Sequence, residues 1–124
     1  MINKRVKNTK ATLVISERRE LLRKYVNLYQ VMNVPEDKWL TSRVKDFFIE
    51  CLILYYDGTP LHSREAINSL NVYFAFNDKN RNSYIYRGEL VKRGWLDYEM
   101  DGIKPNPAFL KEFDELKLQL LITN

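Results

Sequence analysis

Residues 79–93 hold the side chains of this sequence that are best suited to chemistry. The stretch carries five lysines and arginines against a single acid, Glu89. Lysine and arginine donate hydrogen bonds to phosphate oxygens, and arginine and asparagine can bond in pairs to the edges of bases. A phosphate backbone is therefore a natural neighbour, although the same pattern also fits the ordinary solvated face of an amphipathic helix. The candidate binding residues are Lys79, Asn80, Arg81, Asn82, Tyr84, Arg87, Lys92 and Arg93.

Enzymatic chemistry has weaker support in this sequence. His62 is the only histidine and Cys51 the only cysteine, and Cys51 falls on the apolar side of a predicted helix, where a thiolate is costly. Asp46, Glu50 and Asp57 are scattered, so we expect them to pair with nearby bases rather than to hold a metal ion. The sequence has no glycine-rich phosphate loop. We therefore expect no catalytic activity, no metal and no cofactor.

Length and composition limit what these residues belong to. With 124 residues, of which 45% are hydrophobic, the chain fits a single globular domain over residues 1–124. A net charge of +4 and a pI near 9.2 favour an acidic partner. A single cysteine cannot form an internal disulfide, and no stretch resembles a signal sequence or a membrane span. We expect a cytoplasmic protein without membrane contact.

The first 33 residues divide into a basic segment and a helix. Residues 1–15 predict a mobile basic arm that either lies along phosphates or only aids solubility. The arm has no acid and four cations: Lys4, Arg5, Lys7 and Lys10. Residues 12–15 are either a short strand or the approach to the helix. Ser16 is a suitable N-cap for a helix over residues 16–33. Its apolar positions are Leu21, Leu22, Tyr25, Leu28, Tyr29 and Met32.

The most apolar helix is predicted over residues 42–56, beginning at Ser42 or as early as Pro35. Its buried side is expected to contain Val44, Phe47, Phe48, Cys51, Leu52 and Tyr55. A turn at residues 57–60 leads to a very short strand at residues 61–62, and Ser63 then caps a helix over residues 64–70. Residues 72–76 either extend that helix or form an apolar turn.

The basic stretch is itself predicted to be a helix. Tyr86, Leu90 and Val91 recur in it at the spacing of one helix face, and Gly94 is the expected C-cap. This side of the helix should be buried, which leaves the cations on the other side.

A β-hairpin and a last helix are predicted after Gly94. Residues 95–100 are extended, Asp101 and Gly102 predict a two-residue turn, and residues 103–105 return as the second strand. A final helix is predicted over residues 107–122. Its apolar positions are Phe109, Leu110, Phe113, Leu116, Leu120 and Leu121.

Residues 59–67 and 86–96 resemble parts of winged-helix proteins, a branch of the helix-turn-helix class. The stretch L-V-K-R-G-W-L at residues 90–96 is similar to the L-x-x-K-G-[LW]-[LIV] ending of a recognition helix in MarR-like regulators and in phage or plasmid replication and transcription factors. The order helix, short strand, two helices and hairpin over residues 35–110 also resembles that family. One departure is the connection at residues 72–77, which is longer and more apolar than the usual tight turn.

The resemblance implies a mainly α fold: a winged helix-turn-helix with a short β-hairpin wing and extra N- and C-terminal helices. It also implies binding of duplex DNA in transcription regulation, replication or genome handling, with a phage-encoded protein in the host cytoplasm as one setting. The second helix of the pair would enter the major groove. Arg87, Lys92 and Lys104 are then the candidates for phosphate contacts, and Lys104 lies in the hairpin.

The resemblance also bears on assembly. MarR-like proteins pair their terminal helices across a two-fold axis, so the expected state is a homodimer through residues 16–33 and 107–122. The alternative is that both helices fold back on the core of the same chain. The alternative function is a non-enzymatic interaction or assembly subunit of a larger protein machine, with a virus-encoded factor as one example.

Overall fold

The computed structural model describes the backbone of residues 2–100 and 102–123, and the side chains of residues 18–100 and 102–115. It is mainly helical with one small antiparallel hairpin, as predicted. The elements in chain order are α1 (Ile2–Asn33), a single 3-10 turn (Glu36–Lys38), α2 (Ser42–Tyr56), α3 (Arg64–Tyr73), α4 (Arg81–Lys92), β1 (Leu96–Glu99), β2 (Gly102–Pro105) and α5 (Pro107–Thr123).

Helix α1 begins at Ile2 and not at Ser16, so the predicted start of this helix was wrong. Ser16 lies inside the helix, and residues 12–15 are neither a strand nor an approach to a cap. The physical reason is that no glycine or proline precedes Pro35, so nothing in the sequence interrupts helical hydrogen bonding. The side chains of the predicted basic arm, Lys4, Arg5, Lys7 and Lys10, lie outside the described residues.

Helix α1 runs antiparallel to α2. Arginines of α1 reach acids of α2 in reverse order along the chain, which sets the direction of the pair. The ion pairs are Arg18–Asp57 at 2.9 Å, Arg19–Glu50 at 2.7 Å and Arg23–Asp46 at 2.8 Å. The expectation that these three acids pair with nearby bases is confirmed.

An aromatic cluster at the centre of the core joins three helices and the residue that precedes β1. The Phe48 ring of α2 contacts Trp95 at 5.2 Å and Phe109 of α5 at 5.4 Å between ring centroids, and Tyr29 of α1 contacts the same two rings. Phe48, Trp95 and Phe109 are almost completely buried. The predicted apolar side of α2 is therefore the centre of the core, with Tyr55 only partly buried.

The described parts of α1 and α5 pack on the core of their own chain. Leu22, Tyr25 and Phe113, which the dimer prediction assigned to a subunit interface, are buried within the chain, and Tyr25 meets Phe113 at 4.8 Å between ring centroids. Leu21 and Met32 stay exposed. The rest of the predicted interface, Leu116, Leu120 and Leu121, lies outside the residues whose side chains are described.

The long connection between α3 and α4 contains two aromatic rings that pack on α2 and α4. Helix α3 extends to Tyr73, and Phe74 and Phe76 then stack at 5.5 Å between centroids. Phe74 contacts Phe47 of α2 at 5.7 Å, and Phe76 contacts Tyr86 of α4 at 5.7 Å. The two alternatives for residues 72–76 both hold in part, because the helix is extended by one turn and an apolar turn follows.

Gly94 precedes the hairpin, and Gly102 is the first residue of its second strand. Gly94 has φ +83 and ends α4 as predicted, since its N–H donates to the carbonyl of Val91 and the Trp95 N–H donates to that of Leu90. Gly102 already pairs with Glu99, so β2 begins one residue earlier than predicted.

Residues 61–62 form a turn and not the predicted strand. The His62 side chain lies against the backbone of Gly102, where a Cβ atom would collide with the imidazole ring. Among the described residues, no helix combines the length and the apolar composition that crossing a membrane requires.

Candidate nucleic-acid interface

Helix α4 has an inner side that packs on α2 and an outer side that faces solvent. Ser83 and Leu90 are buried on the inner side, and the Tyr86 ring contacts Phe47 at 5.4 Å between centroids. We define the outer face of α4 by its exposed residues, which recur every three or four positions. They are Arg81, Tyr84, Ile85, Gly88 and Lys92.

Three of the predicted binding residues therefore lie together, and two outer-face residues were missed. Ile85 and Gly88 are not among the predicted binding residues, and the seven-residue spacing from Arg81 to Gly88 was the available signal that they share its face. A Cβ atom built on Gly88 would meet nothing within 4 Å. The centre of the outer face is thus open to close approach by a partner.

Arg87 and Tyr84 form a cation–π pair on the edge of this face. The Arg87 guanidinium carbon lies 4.8 Å from the Tyr84 ring centroid, and Tyr84 is 49% exposed. A guanidinium stacked on an aromatic ring keeps its charge and most of its donors. Arg87, a candidate for phosphate contacts in the sequence analysis, therefore adds a pre-oriented cation beside the outer face.

The amino-terminal end of α4 is held by side chains of the same chain. Lys79 and Asn80 have positive φ angles of +55 and +71, and the Asn80 side-chain oxygen accepts a hydrogen bond from Asn71 of α3. The half-buried Asn82 donates its backbone N–H to Asp78 at 3.4 Å. The exposed Lys79 continues the outer face towards solvent, whereas the Asn80 oxygen that was expected to meet a base is already engaged.

Arg93 lies on a different side of the helix, and its guanidinium is used inside the chain. Its Nε donates to Glu89 at 2.7 Å, and its Nη1 donates to the backbone carbonyls of Asp37 at 3.2 Å and Trp39 at 3.0 Å. Arg93 thus ties α4 to the connection between α1 and α2. Its contacts are those of a structural residue rather than of a binding residue.

We expect Arg93→Ala to lower the free energy of unfolding by about 1–2 kcal/mol near neutral pH, because carbonyl and carboxylate acceptors lose their donor. The hydrogen bond from Arg93 lowers the pKa of Glu89 below its ordinary value of 4.5. The ion-pair contribution is therefore present above that ordinary value and is lost as the pH falls through the lowered pKa. Urea unfolding near pH 7 and near pH 3 should show the difference from wild type shrinking in acid. Lys92, the neighbouring exposed cation, supplies the control. Lys92→Ala should leave the free energy of unfolding within about 0.5 kcal/mol of wild type. Equal losses in the two variants would contradict the structural role of Arg93.

The hairpin has the opposite charge to α4. Its sequence holds Asp97, Glu99 and Asp101 against one cation, Lys104, and Lys104 pairs with Glu99 at 3.4 Å. Tyr98 is 66% exposed, and Met100 is fully exposed. Lys104, which was predicted to contact a phosphate, thus already has an acidic partner in the hairpin.

Cys51 and His62, the pair considered for enzymatic chemistry, differ in their surroundings. Cys51 is buried, and burial raises the pKa of its thiol, whereas His62 is exposed. Among the described residues, no group of three or more His, Cys, Asp or Glu side chains is placed to hold a metal ion.

Comparison of the chain with protein-family models, with curated proteins and with solved structures found no match. The geometry of α4 and its surroundings therefore carries the functional argument.

Proposed function

We propose that this chain binds duplex DNA through the outer face of α4, as a winged helix-turn-helix protein acting in transcription, replication or genome handling. The observation that carries the proposal is the contrast between two sets of cations. Arg18, Arg19 and Arg23 of α1 are each matched by an acid of α2. In the described part of the chain, Lys79, Arg81 and Lys92 form no ion pair, and the one acid of α4, Glu89, is occupied by Arg93.

The order of the elements supports the same proposal. Helices α2, α3 and α4 are followed directly by the β1–β2 hairpin, as in the helix-turn-helix proteins that the sequence resembles. In such a protein α4 enters the major groove with its amino-terminal half near the bases. Arg81 and Tyr84 stand in that half, and Arg87 and Lys92 lie further along the helix for contacts with phosphates.

The charge of the hairpin limits how DNA is bound. Acids outnumber cations in residues 96–105, so the hairpin gains little from a phosphate backbone. In the described part of the chain, the proposed contact uses four cations: Lys79, Arg81, Arg87 and Lys92. Counterion release from the four phosphates that they neutralise contributes about −3.6 to the log-log slope of affinity against salt, that is, about −0.9 for each cation.

The test is a titration of a fluorescent random-sequence duplex, followed by anisotropy across a salt series. We expect Arg81→Ala and Arg87→Ala each to lower affinity about 5-fold and to reduce the salt slope by about 1. Lys24→Ala removes an exposed cation of α1 and serves as the matched control, with affinity unchanged. Unchanged affinity in both arginine variants would reject the outer face of α4 as the DNA surface.

A non-enzymatic interaction or assembly subunit is the second candidate function, and exposed apolar side chains support it. The acidic hairpin presents Tyr98 and Met100, which suits a basic partner surface. Helix α1 carries a second apolar stripe at helical spacing, formed by the exposed residues Leu21, Leu28, Val31 and Met32. Because other residues of the predicted dimer interface are buried within the chain, a homodimer contact through α1 would depend on this stripe. A flat salt response in the duplex titration would favour this function over DNA binding.

A further inference from the structure

The connection that leads into α4 holds three non-glycine residues in the left-handed region. These are Ala75 at φ +54, Lys79 at φ +55 and Asn80 at φ +71. Such conformations cost on the order of 1 kcal/mol each and persist only where the surroundings hold them. Two of the three immediately precede Arg81, so the position of that arginine depends on whatever holds Lys79 and Asn80.

We propose that Asn71, near the end of α3, is a positioning residue that holds the amino-terminal turn of α4 and with it Arg81. This inference rests on the proposed function of the outer face. The Asn71 side-chain Nδ2 donates to Oδ1 of Asn80 at 2.5 Å, and its Oδ1 accepts from the Ser83 hydroxyl at 2.6 Å. One amide group is therefore hydrogen-bonded to a residue on each side of Arg81.

The burial of these groups makes the contact specific. Ser83 is 3% exposed, and both Asn71 and Asn80 are half-buried. A hydroxyl or amide in such a place costs free energy when its partner is removed, so the three side chains favour one arrangement of α3 against α4. The aromatic pair Phe74 and Phe76 anchors the middle of the connection, whereas Asn71 holds its end.

The N-cap residue of α4 does not hold the start of the helix with its own side chain. Its N-cap residue, Asn80, makes no side-chain capping hydrogen bond and is left-handed, where an N-cap residue is ordinarily extended. Its oxygen is turned to Asn71 instead. The first helical hydrogen bond, from the Tyr84 N–H to the Asn80 carbonyl at 3.0 Å, therefore begins from a residue that α3 positions.

The first test is a double-mutant cycle of Asn71→Ala and Arg81→Ala, with duplex affinity measured where circular dichroism shows every variant folded. If Asn71 acts by placing Arg81, Arg81→Ala should cost about 5-fold in the wild-type background but less than about 2-fold in Asn71→Ala. Additive effects would overturn the proposal. Asn68→Ala makes the same change at an exposed position of α3 and should leave affinity unchanged.

The second test needs no DNA. Amide hydrogen exchange, followed by NMR, should become several-fold faster for the Tyr84 amide in Asn71→Ala. The exchange rate should change less in Ser83→Ala, because that variant keeps the hydrogen bond between Asn71 and Asn80. The Trp95 amide donates to the Leu90 carbonyl at the far end of α4 and serves as the control for opening of the whole domain. Its exchange rate should be unaffected. Unchanged exchange at Tyr84 would overturn the positioning role. If Arg81→Ala and Arg87→Ala both leave affinity unchanged, the proposed function fails, and the exchange result still decides the role of Asn71.

Discussion

Replacing Trp95 with alanine should lower the free energy of unfolding by about 3–5 kcal/mol, the largest stability loss that we expect from a single substitution here. The indole is only 2% exposed. Its ring contacts Phe48 at 5.2 Å, Tyr29 at 5.6 Å and Phe109 at 6.1 Å between centroids, and its N–H donates to the Lys38 carbonyl at 3.4 Å. Alanine would leave a cavity at the point where α1, α2, α5 and the start of the hairpin meet.

Urea unfolding followed by far-ultraviolet circular dichroism measures this loss without relying on tryptophan fluorescence. Tyr98→Ala is the matched control, because it removes another aromatic ring, three residues further along the chain, from a side chain that is 66% exposed. Its effect should stay within about 0.5 kcal/mol. A loss below about 1 kcal/mol in Trp95→Ala would show that the aromatic cluster does not stabilise the core as the packing indicates.

Breaking the Arg19–Glu50 pair should have the second largest effect. Arg19 donates to both carboxylate oxygens, from Nε at 2.7 Å and from Nη2 at 2.8 Å, and Glu50 is 7% exposed. The same guanidinium lies 4.7 Å from the Tyr73 ring centroid. The hydrogen bond to Glu50 raises the pKa of Arg19, as expected for a charge held by its partner. This pair joins α1 to α2 and reaches α3.

We expect Arg19→Met to lower the free energy of unfolding by about 3 kcal/mol, because it leaves a buried carboxylate without its cation. Most of that loss should return in the double variant Arg19→Met with Glu50→Leu, since the buried carboxylate that was left without its cation is then replaced by an apolar side chain. A chemical-denaturation cycle of the four proteins measures the coupling.

A neighbouring pair of the same kind serves as control. Arg18 pairs with Asp57 at 2.9 Å, but the Asp57 side chain is 51% exposed, so Arg18→Met should cost less than about 1 kcal/mol. Equal losses at Arg18 and Arg19 would mean that the burial of Glu50 contributes nothing. A double variant no more stable than Arg19→Met would contradict the unpaired-charge explanation.

Local patterns in the sequence determined most of the elements. Helices α2 and α4, the hairpin and the described course of α5 follow from apolar spacing, with Gly94 as the end of α4, and α3 follows from Ser63 as its cap. These signals act over a few residues. Ser63 does accept a hydrogen bond from the Ala66 N–H at 3.1 Å. The same local reasoning failed at Ser16, where a favourable cap residue lies inside an uninterrupted helix.

The tertiary structure decided which cations are available to a partner. Arg81 and Arg93 are equivalent by residue type and lie in the same basic stretch, but Arg93 donates to carbonyls of residues 37 and 39, more than fifty positions earlier in the chain. No periodicity can report a partner at that distance. The separation of an outer face from a structural arginine is therefore a result of how α4 docks on the connection between α1 and α2.

The same holds for the start of α4. The sequence by itself determined that residues 80–83 are polar and that a helix begins there. It did not show that Asn71 bonds to the side chains of Asn80 and Ser83, because those three residues meet where the packed rings of Phe74 and Phe76 turn the chain between α3 and α4. Hydrogen bonds between side chains on different helices depend on packing, and packing is set by the whole chain.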